Sequence, residues 1–171
     1  MRTIIVGCGR VGAVLANRLA REGDEVIVID PRTDAFDRLE DGFAGQAIRG
    51  DGTDEDVLRR AGAEGADRFF ALTEGDNRNV LAAQLATETF QVPTVVAKLN
   101  DPVRAEAYAA LGIATLCRTT MMADALTAFL GMRSDPAAGR VRAPSGQHPG
   151  PRTAVAPAAP ASGPLVRSVE R

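Results

Sequence analysis

A doubly wound α/β fold, with a parallel sheet covered by helices on both faces, is predicted by three features of the 171 residues. Short β-branched apolar runs alternate with longer amphipathic stretches as far as about residue 132. The runs are apolar at nearly every position, as strands buried on both faces require. Their repetition demands crossover connections, and right-handed crossovers place helices on both sides of a sheet.

The first run is Thr3-Ile4-Ile5-Val6, and a helical pattern follows over residues 10–22. Glu25-Val26-Ile27-Val28-Ile29 reads as the second strand and Gln46-Ala47-Ile48 as the third. Arg68-Phe69-Phe70-Ala71-Leu72, Thr94-Val95-Val96-Ala97 and Ile113-Ala114-Thr115-Leu116 supply the rest. Each is followed by a helical pattern, which predicts six strands and six helices in a Rossmann-type doubly wound parallel six-stranded sheet. The last helix, over residues 119–130, opens on Thr119-Thr120 as a candidate N-cap. It sets Met122, Ala125, Leu126, Phe129 and Leu130 along one side, which packs either on its own sheet or on a partner subunit.

Composition changes near Gly131. Seven of the ten prolines fall within residues 133–171, among Gly, Ala and Ser and without helical or strand period. Such a segment buries too little apolar surface to offset its chain entropy, so a disordered tail is expected after a folded domain of residues 1–132. The tail's six Arg stand against Asp135 and Glu170, a net of +4; the whole chain carries −2, so residues 1–132 carry −6. The tail reads as non-catalytic, either a solvated linker or a weakly cationic arm for an acidic surface or anionic lipid.

The composition excludes several functions. Aromatic residues make up 4% with no Trp, and the net charge is slightly negative, which argues against nucleic-acid binding. The sole histidine, His148, lies in the tail, so the folded part has neither a His-based catalytic triad nor a His zinc site. Cys8 and Cys117 have no paired spacing and no signal peptide precedes them, so a reducing cytosol is expected. No apolar stretch reaches membrane-spanning length, so direct membrane insertion is not expected.

Gly7-Cys8-Gly9-Arg10-Val11-Gly12 is a G-x-G-x-x-G placed after a predicted strand and opening a predicted helix, the context that gives the motif meaning. Gly7 permits the tight turn, Gly9 lets a pyrophosphate approach the backbone, and Gly12 allows close helix–strand packing. The free N–H groups at the helix start then bind anionic oxygen. Asp30 ends the second strand, where its carboxylate either accepts hydrogen bonds from an adenosine ribose or caps the next helix. A carboxylate there favours NAD, ATP, ADP or AMP over NADP, although Arg32 softens repulsion of a 2′-phosphate.

Three more strand ends fall on the same carboxyl edge, bearing Gly50-Asp51-Gly52-Thr53, Ala71-Leu72-Thr73-Glu74 and Ala97-Lys98-Leu99-Asn100. Asp51 and Thr53 either reach a base or cap the helix beginning near Asp54, and Thr73 reaches a pyrophosphate or caps. Lys98, the only lysine, ends a buried strand at this edge and places a cation near phosphates. Asp76 is read as a cap of the helix containing Asn79 or as a ligand contact.

These residues resemble the TrkA-N domain, the N-terminal nucleotide-binding domain of regulators of potassium conductance, found in cytosolic subunits of Trk and Ktr potassium uptake systems. The resemblance covers about residues 1–131. It rests on the glycine loop, on Val-Ile-Asp30, and on Gly50-Asp51-Gly-Thr53-Asp-x-x-Val57-Leu58-x-x-Ala61-Gly62. Ala71-Leu72-Thr73, Asp76-x-x-Asn79, Asn100-Asp101-Pro102 and Leu111-Gly112 complete it.

The resemblance implies a domain that binds NAD(H) or ATP/ADP and transmits its occupancy to a membrane-embedded potassium transporter, as a homodimer or a ring of dimers. Gly7 to Val11 would hold the pyrophosphate and Asp30 the ribose. Asp51, Gly52 and Thr53 would hold the adenosine side, and Thr73, Glu74 and Lys98 the rest. Arg10 would lie near terminal phosphates, its own or a neighbour's.

It further implies a cytoplasmic protein, peripheral to the inner membrane through its partner. Two departures stand out. Cys117-Arg118-Thr119-Thr120 lies where Ktr-type relatives carry a carboxylate for a divalent cation, so no metal site is expected. The family's following C-terminal domain is not expected in residues 133–171. The resulting expectation is a non-enzymatic regulatory subunit. The rivals are a regulator of another cation carrier and a small NAD-dependent oxidoreductase, the latter opposed by the missing His and by Tyr108 lacking a Lys four residues on, where Gly112 stands.

Overall fold

The computed structural model describes residues 1–132 and 141–142. Six parallel strands form one sheet: β1 (Arg2–Val6), β2 (Glu25–Asp30), β3 (Gln46–Arg49), β4 (Arg68–Ala71), β5 (Thr94–Leu99) and β6 (Thr115–Cys117). Their order is β3-β2-β1-β4-β5-β6, the doubly wound arrangement predicted. The order reverses between β1 and β4, which opens a crevice at the carboxyl edge above that pair.

Strand periodicity divides the core between the faces. Ile4 and Val6 of β1 join Ile27 and Ile29 of β2, Phe69, Leu58 and Ala82 in one cluster. Ile5, Val26 and Val28 point the other way and meet Ala13 and Ala16. Each fully buried Ile contributes roughly 1.5–3 kcal/mol relative to exposure. Both faces are therefore committed, which fixes the register of the central strands.

Among the described residues there are five α-helices: α1 (Arg10–Arg21), α2 (Glu55–Arg60), α3 (Asp76–Gln84) and α4 (Pro102–Ala110) pack on the sheet, and α5 (Arg118–Phe129) ends the chain of elements. The sixth predicted helix, after β2, is instead a 3-10 segment, Thr33–Arg38. It contributes Ala35 to the core, too little to hold a full crossover helix. After α3 the backbone widens into one π turn, Leu85–Thr89, before Phe90 returns to the core.

The last helix departs most from expectation. The backbone begins it at Arg118, with Cys117 at the N-cap position and no side-chain cap, so Thr119 and Thr120 lie inside its first turn. No residue of α5 is buried, and it does not pack its apolar side on its own sheet. Of the predicted tail, residues 141–142 are described. Arg142 makes a two-bond antiparallel bridge to Thr115 on the outer edge of β6, at 2.8 and 3.2 Å. The expectation of disorder otherwise falls on residues outside those described.

Candidate functional site at the carboxyl edge

Gly7 follows β1 with φ +104°, and a Cβ there would stand 2.9 Å from the amide nitrogen of Thr73. Only glycine suits that turn. At Gly12 a Cβ would collide with the carbonyl oxygen of Gly7, so its absence lets α1 start tightly against the loop. Around Gly9 the nearest atom to such a Cβ is 4.0 Å away, which leaves the backbone approachable from solvent. The N-cap, Gly9, supplies no side chain, and the first turn carries no acidic residue. The first helical N–H to find a carbonyl is that of Ala13, bonded to Gly9 at 2.9 Å. Among the described residues the N–H groups of Arg10, Val11 and Gly12 have no acceptor. Unpaired donors at the positive end of a helix dipole fit anionic oxygen.

Asp30 closes this loop from the neighbouring strand. Its Oδ2 accepts from the Cys8 N–H at 2.8 Å and its Oδ1 from the Arg32 N–H at 3.0 Å, with Arg32 Nε 3.8 Å away. The residue is only 7% exposed, and each carboxylate oxygen keeps a further lone pair for a hydroxyl. It caps no α-helix, which removes one of the two roles left open by the sequence. Beside it the Cys8 thiol is pushed up to about 11, chiefly by burial and secondarily by the Asp30 charge.

The loop after β3 turns inward, since Gly52 packs without a side chain against Val6 at the end of β1. Asp51 Oδ1 accepts from both the N–H and the hydroxyl of Thr53, at 2.9 and 2.8 Å. Those bonds hold the Asp51 carboxyl below its ordinary value, and Arg78 on α3 adds to the effect. The helix cap belongs to Asp54, which accepts from Asp56 and Val57. Asp51 and Thr53 are thus braced against each other rather than spent on the helix.

At the other side of the crevice, Thr73 and Lys98 are tied together by a residue whose role the sequence did not reveal. Asn79 is fully buried and makes four bonds. Its Oδ1 accepts from the Thr73 N–H and hydroxyl at 2.8 and 2.7 Å, and its Nδ2 donates to the carbonyls of Thr73 and Lys98 at 3.0 and 2.8 Å. Lys98 is 4% exposed, with Nζ 3.9 Å from Glu74 Oε1. Burial pushes its ammonium pKa down, Glu74 raises it and Arg118 lowers it further. Asp76 caps nothing, because Gly75 is the N-cap and the Asp76 carboxylate reaches across to Asn100 and Asp101.

The predicted site residues therefore meet on one edge: Gly7 to Gly12 and Asp30 around the free amides, Asp51, Gly52 and Thr53 over β1, and Thr73, Glu74 and Lys98 beyond. Arg78 and Arg118 were not among the predicted site residues. Nothing in a solvated Arg near a helix start marks it out in sequence; their place follows from the 51–53 loop and from the adjacent β5 and β6 ends. Among the described residues no group of three or more His, Cys, Asp or Glu side chains is placed to hold a metal.

Comparison with known proteins accords with this architecture. A Trk system potassium uptake protein TrkA from Streptomyces coelicolor is 46% identical over 124 residues, 72% of this chain and 56% of that protein. This chain thus spans little more than half of that relative. A TrkA-N domain of the inner membrane protein ybaL from Escherichia coli superposes with a TM-score of 0.67 at 18% identity, covering 75% of this chain and 96% of that one. The AMP-bound C-terminal domain of Kef from Shewanella denitrificans gives 0.63 at 23%, covering 77% and 82%. Both share the fold. The TrkA-N domain family itself matches residues 3–119, from the first residues of β1 into the first turn of α5, and the chain belongs to that family.

Proposed function

We propose that this chain is a nucleotide-sensing regulatory subunit of a potassium uptake transporter or channel, acting from the cytoplasmic side. Residues 1–132 would form the sensing domain, and residues 133–171 would take no part in catalysis. The observation that carries the reading is the row of unpaired N–H groups at Arg10, Val11 and Gly12 beside the Asp30 carboxylate. That pairing suits a pyrophosphate joined to a ribose, as in NAD(H) or ATP/ADP.

Gly7, Gly9, Arg10, Val11 and Gly12 would border the phosphates, with Cys8 in the same loop, and Asp30 would hold the ribose hydroxyls. Asp51, Gly52 and Thr53 would border the adenosine, while Thr73, Glu74 and Lys98 would meet the distal part. The structure adds a constraint: the Cys8 N–H is already bonded to Asp30, so Cys8 acts by holding the carboxylate rather than by donating to phosphate. Arg10 is exposed at the first position of α1, where a guanidinium reaches terminal phosphates.

Regulation requires that the ligand prefer one of two arrangements of the assembly. A second copy of this chain is the proposed cover for α5, on which Met122, Leu126, Leu130 and the 88% exposed Phe129 stand in solvent. A 12-residue helix with nothing buried is marginal by itself. The relatives' potassium uptake name supports a membrane transporter as partner, and the AMP in the Kef domain supports an adenine nucleotide as ligand. No His lies in residues 1–132 to serve as general base, which supports sensing over catalysis.

Calorimetric titration of NADH, NAD, ATP and ADP against the chain, with Asp30→Ala alongside, tests the proposal. Selective binding that Asp30→Ala abolishes is expected and names the ligand. Binding by none of the four overturns the assignment of the glycine loop, and sustained NADH turnover with carbonyl substrates overturns the regulatory one.

A further inference from the structure

The crevice and the exposed helix are joined by one residue. Asn100 follows β5 at the carboxyl edge, next to Lys98 and Leu99. Its N–H and its Nδ2 both donate to Asp76 Oδ1, each at 2.9 Å, and Nδ2 also donates to the Glu74 carbonyl at 3.2 Å. Asp76 Oδ2 accepts in turn from the Asp101 N–H at 3.2 Å. These bonds fix Asn100 to the 74–76 loop, which borders the candidate nucleotide site through Thr73 and Glu74.

From its other side Asn100 holds the start of α5. Its carbonyl oxygen accepts from the Thr119 hydroxyl at 2.5 Å and faces the Cys117 thiol at 3.8 Å. No residue of α5 is buried and only Thr120, Asp124 and Thr127 are half-buried, so packing constrains its direction weakly. Its direction is set at its first turn, by its covalent join to β6 and by the Thr119 bond to Asn100.

One atom of the joint is left out. Asn100 Oδ1 is buried and, among the described residues, has no hydrogen-bond partner. Reversing the amide would not help, since it would set the oxygen against the Glu74 carbonyl and the Asp76 carboxylate, both acceptors. A buried acceptor without a donor is disfavoured. Any rearrangement that supplies one gains a bond that this arrangement lacks, which is what a two-state element requires.

We propose that Asn100 is a positioning residue that ties the direction of α5 to the 74–76 loop, so that occupancy of the nucleotide edge is read out at the apolar side of α5. The ligand-responsive half of this statement rests on the function proposed above; the mechanical half does not. Asn100 touches no ligand in this scheme and acts through Asp76 on one side and Thr119 on the other.

The chain has no Trp, so Phe129→Trp places a single reporter near the end of α5. Fluorescence anisotropy decay of the full chain, kept dilute enough to be monomeric, reads the amplitude of the helix's local motion. Thr119→Val, which removes only the hydroxyl, is expected to raise that amplitude at least twofold. Thr119→Ser should restore it, and Asp76→Asn should raise it from the far side of the joint. Nucleotide affinity of Thr119→Val should stay within twofold of the parent, whereas the change in α5 motion on adding saturating ATP or NADH should vanish.

Unchanged motion in both Thr119→Val and Asp76→Asn overturns the mechanical half. A ligand-induced change that persists in Thr119→Val overturns the readout. If none of the nucleotides binds the parent, the function proposed above fails, while the ligand-free variants still decide whether the joint exists.

Discussion

The helices α1 and α5 have the same length, 12 residues each, and both start at the carboxyl edge of the sheet. They are held in opposite ways. α1 buries Gly12, Ala13, Ala16 and Asn17 along its length against strands β1 and β2. α5 buries nothing and is anchored through its first turn. A helix fixed by packing keeps its free N-terminal amides in a constant place, as an anion site needs. A helix fixed at one end changes direction when its anchor moves, as a reporter needs.

The most forceful way to break this contrast is to overpack each helix. Gly12→Val drives a side chain into the Gly7 carbonyl and should cost about 3 kcal/mol or more in urea unfolding. Ala125→Leu on α5 should change stability by less than about 0.5 kcal/mol. Equal losses at the two positions would mean that α5 is packed after all. Next in size is the anion end of α1. Asp30→Asn keeps the shape but loses the charge that draws the Cys8 N–H and, in the proposed role, would draw the ribose hydroxyls, and should weaken nucleotide binding by about 2 kcal/mol, roughly thirtyfold.

A smaller effect is expected on the free side of α5. Leu126→Asp should leave the unfolding curve of the monomer nearly unchanged and weaken self-association by at least about 1.4 kcal/mol, a tenfold rise in dissociation constant by sedimentation. The smallest effect concerns Lys98. Burial lowers its pKa in the folded chain, so between that value and 10.5 the unfolded chain binds more protons and stability rises with pH. An anionic ligand beside the ammonium raises the value again, so binding should take up a fraction of a proton in the same window. Calorimetry in buffers of different ionisation enthalpy measures it, and Lys98→Met should abolish it.

The contrast also explains what sequence reading reached. The central strands are apolar runs whose burial depends on their own composition, and they lie where their residues predict; edge strand β3 (Gln46–Arg49) is mostly exposed, and β6 begins two residues later than Ile113, the predicted start. The glycine loop was legible because its G-x-G-x-x-G spacing between a strand and a helix is carried by the sequence itself, and Gly7 and Gly12 answer steric demands at that turn. What stayed hidden was which partner each polar side chain chooses. Asp51, Asp54 and Asp76 are alike in sequence, near helix starts, yet only Asp54 caps; Asp51 braces Thr53 and Asp76 crosses to the β5 end. Those choices depend on loops brought together by the sheet order, at separations such as the 24 residues between Asp76 and Asn100. The segment after β2 reads as an α-helix because Ala35, Phe36 and Leu39 mimic its period, whereas the backbone makes only a 3-10 turn there, with Ala35 as its one buried residue.

The placement of Cys8 has a chemical consequence. A thiol in a phosphate-binding loop suggests a switch for oxidants, but with its pKa pushed up to about 11, the thiolate is only about one part in ten thousand at neutral pH. It is also buried, as is Cys117. Alkylating reagents and peroxide should therefore pass over the native fold and attack only once it opens. The rate at which the two thiols become reactive is then a clock for unfolding, and any ligand that settles on the glycine loop should slow it.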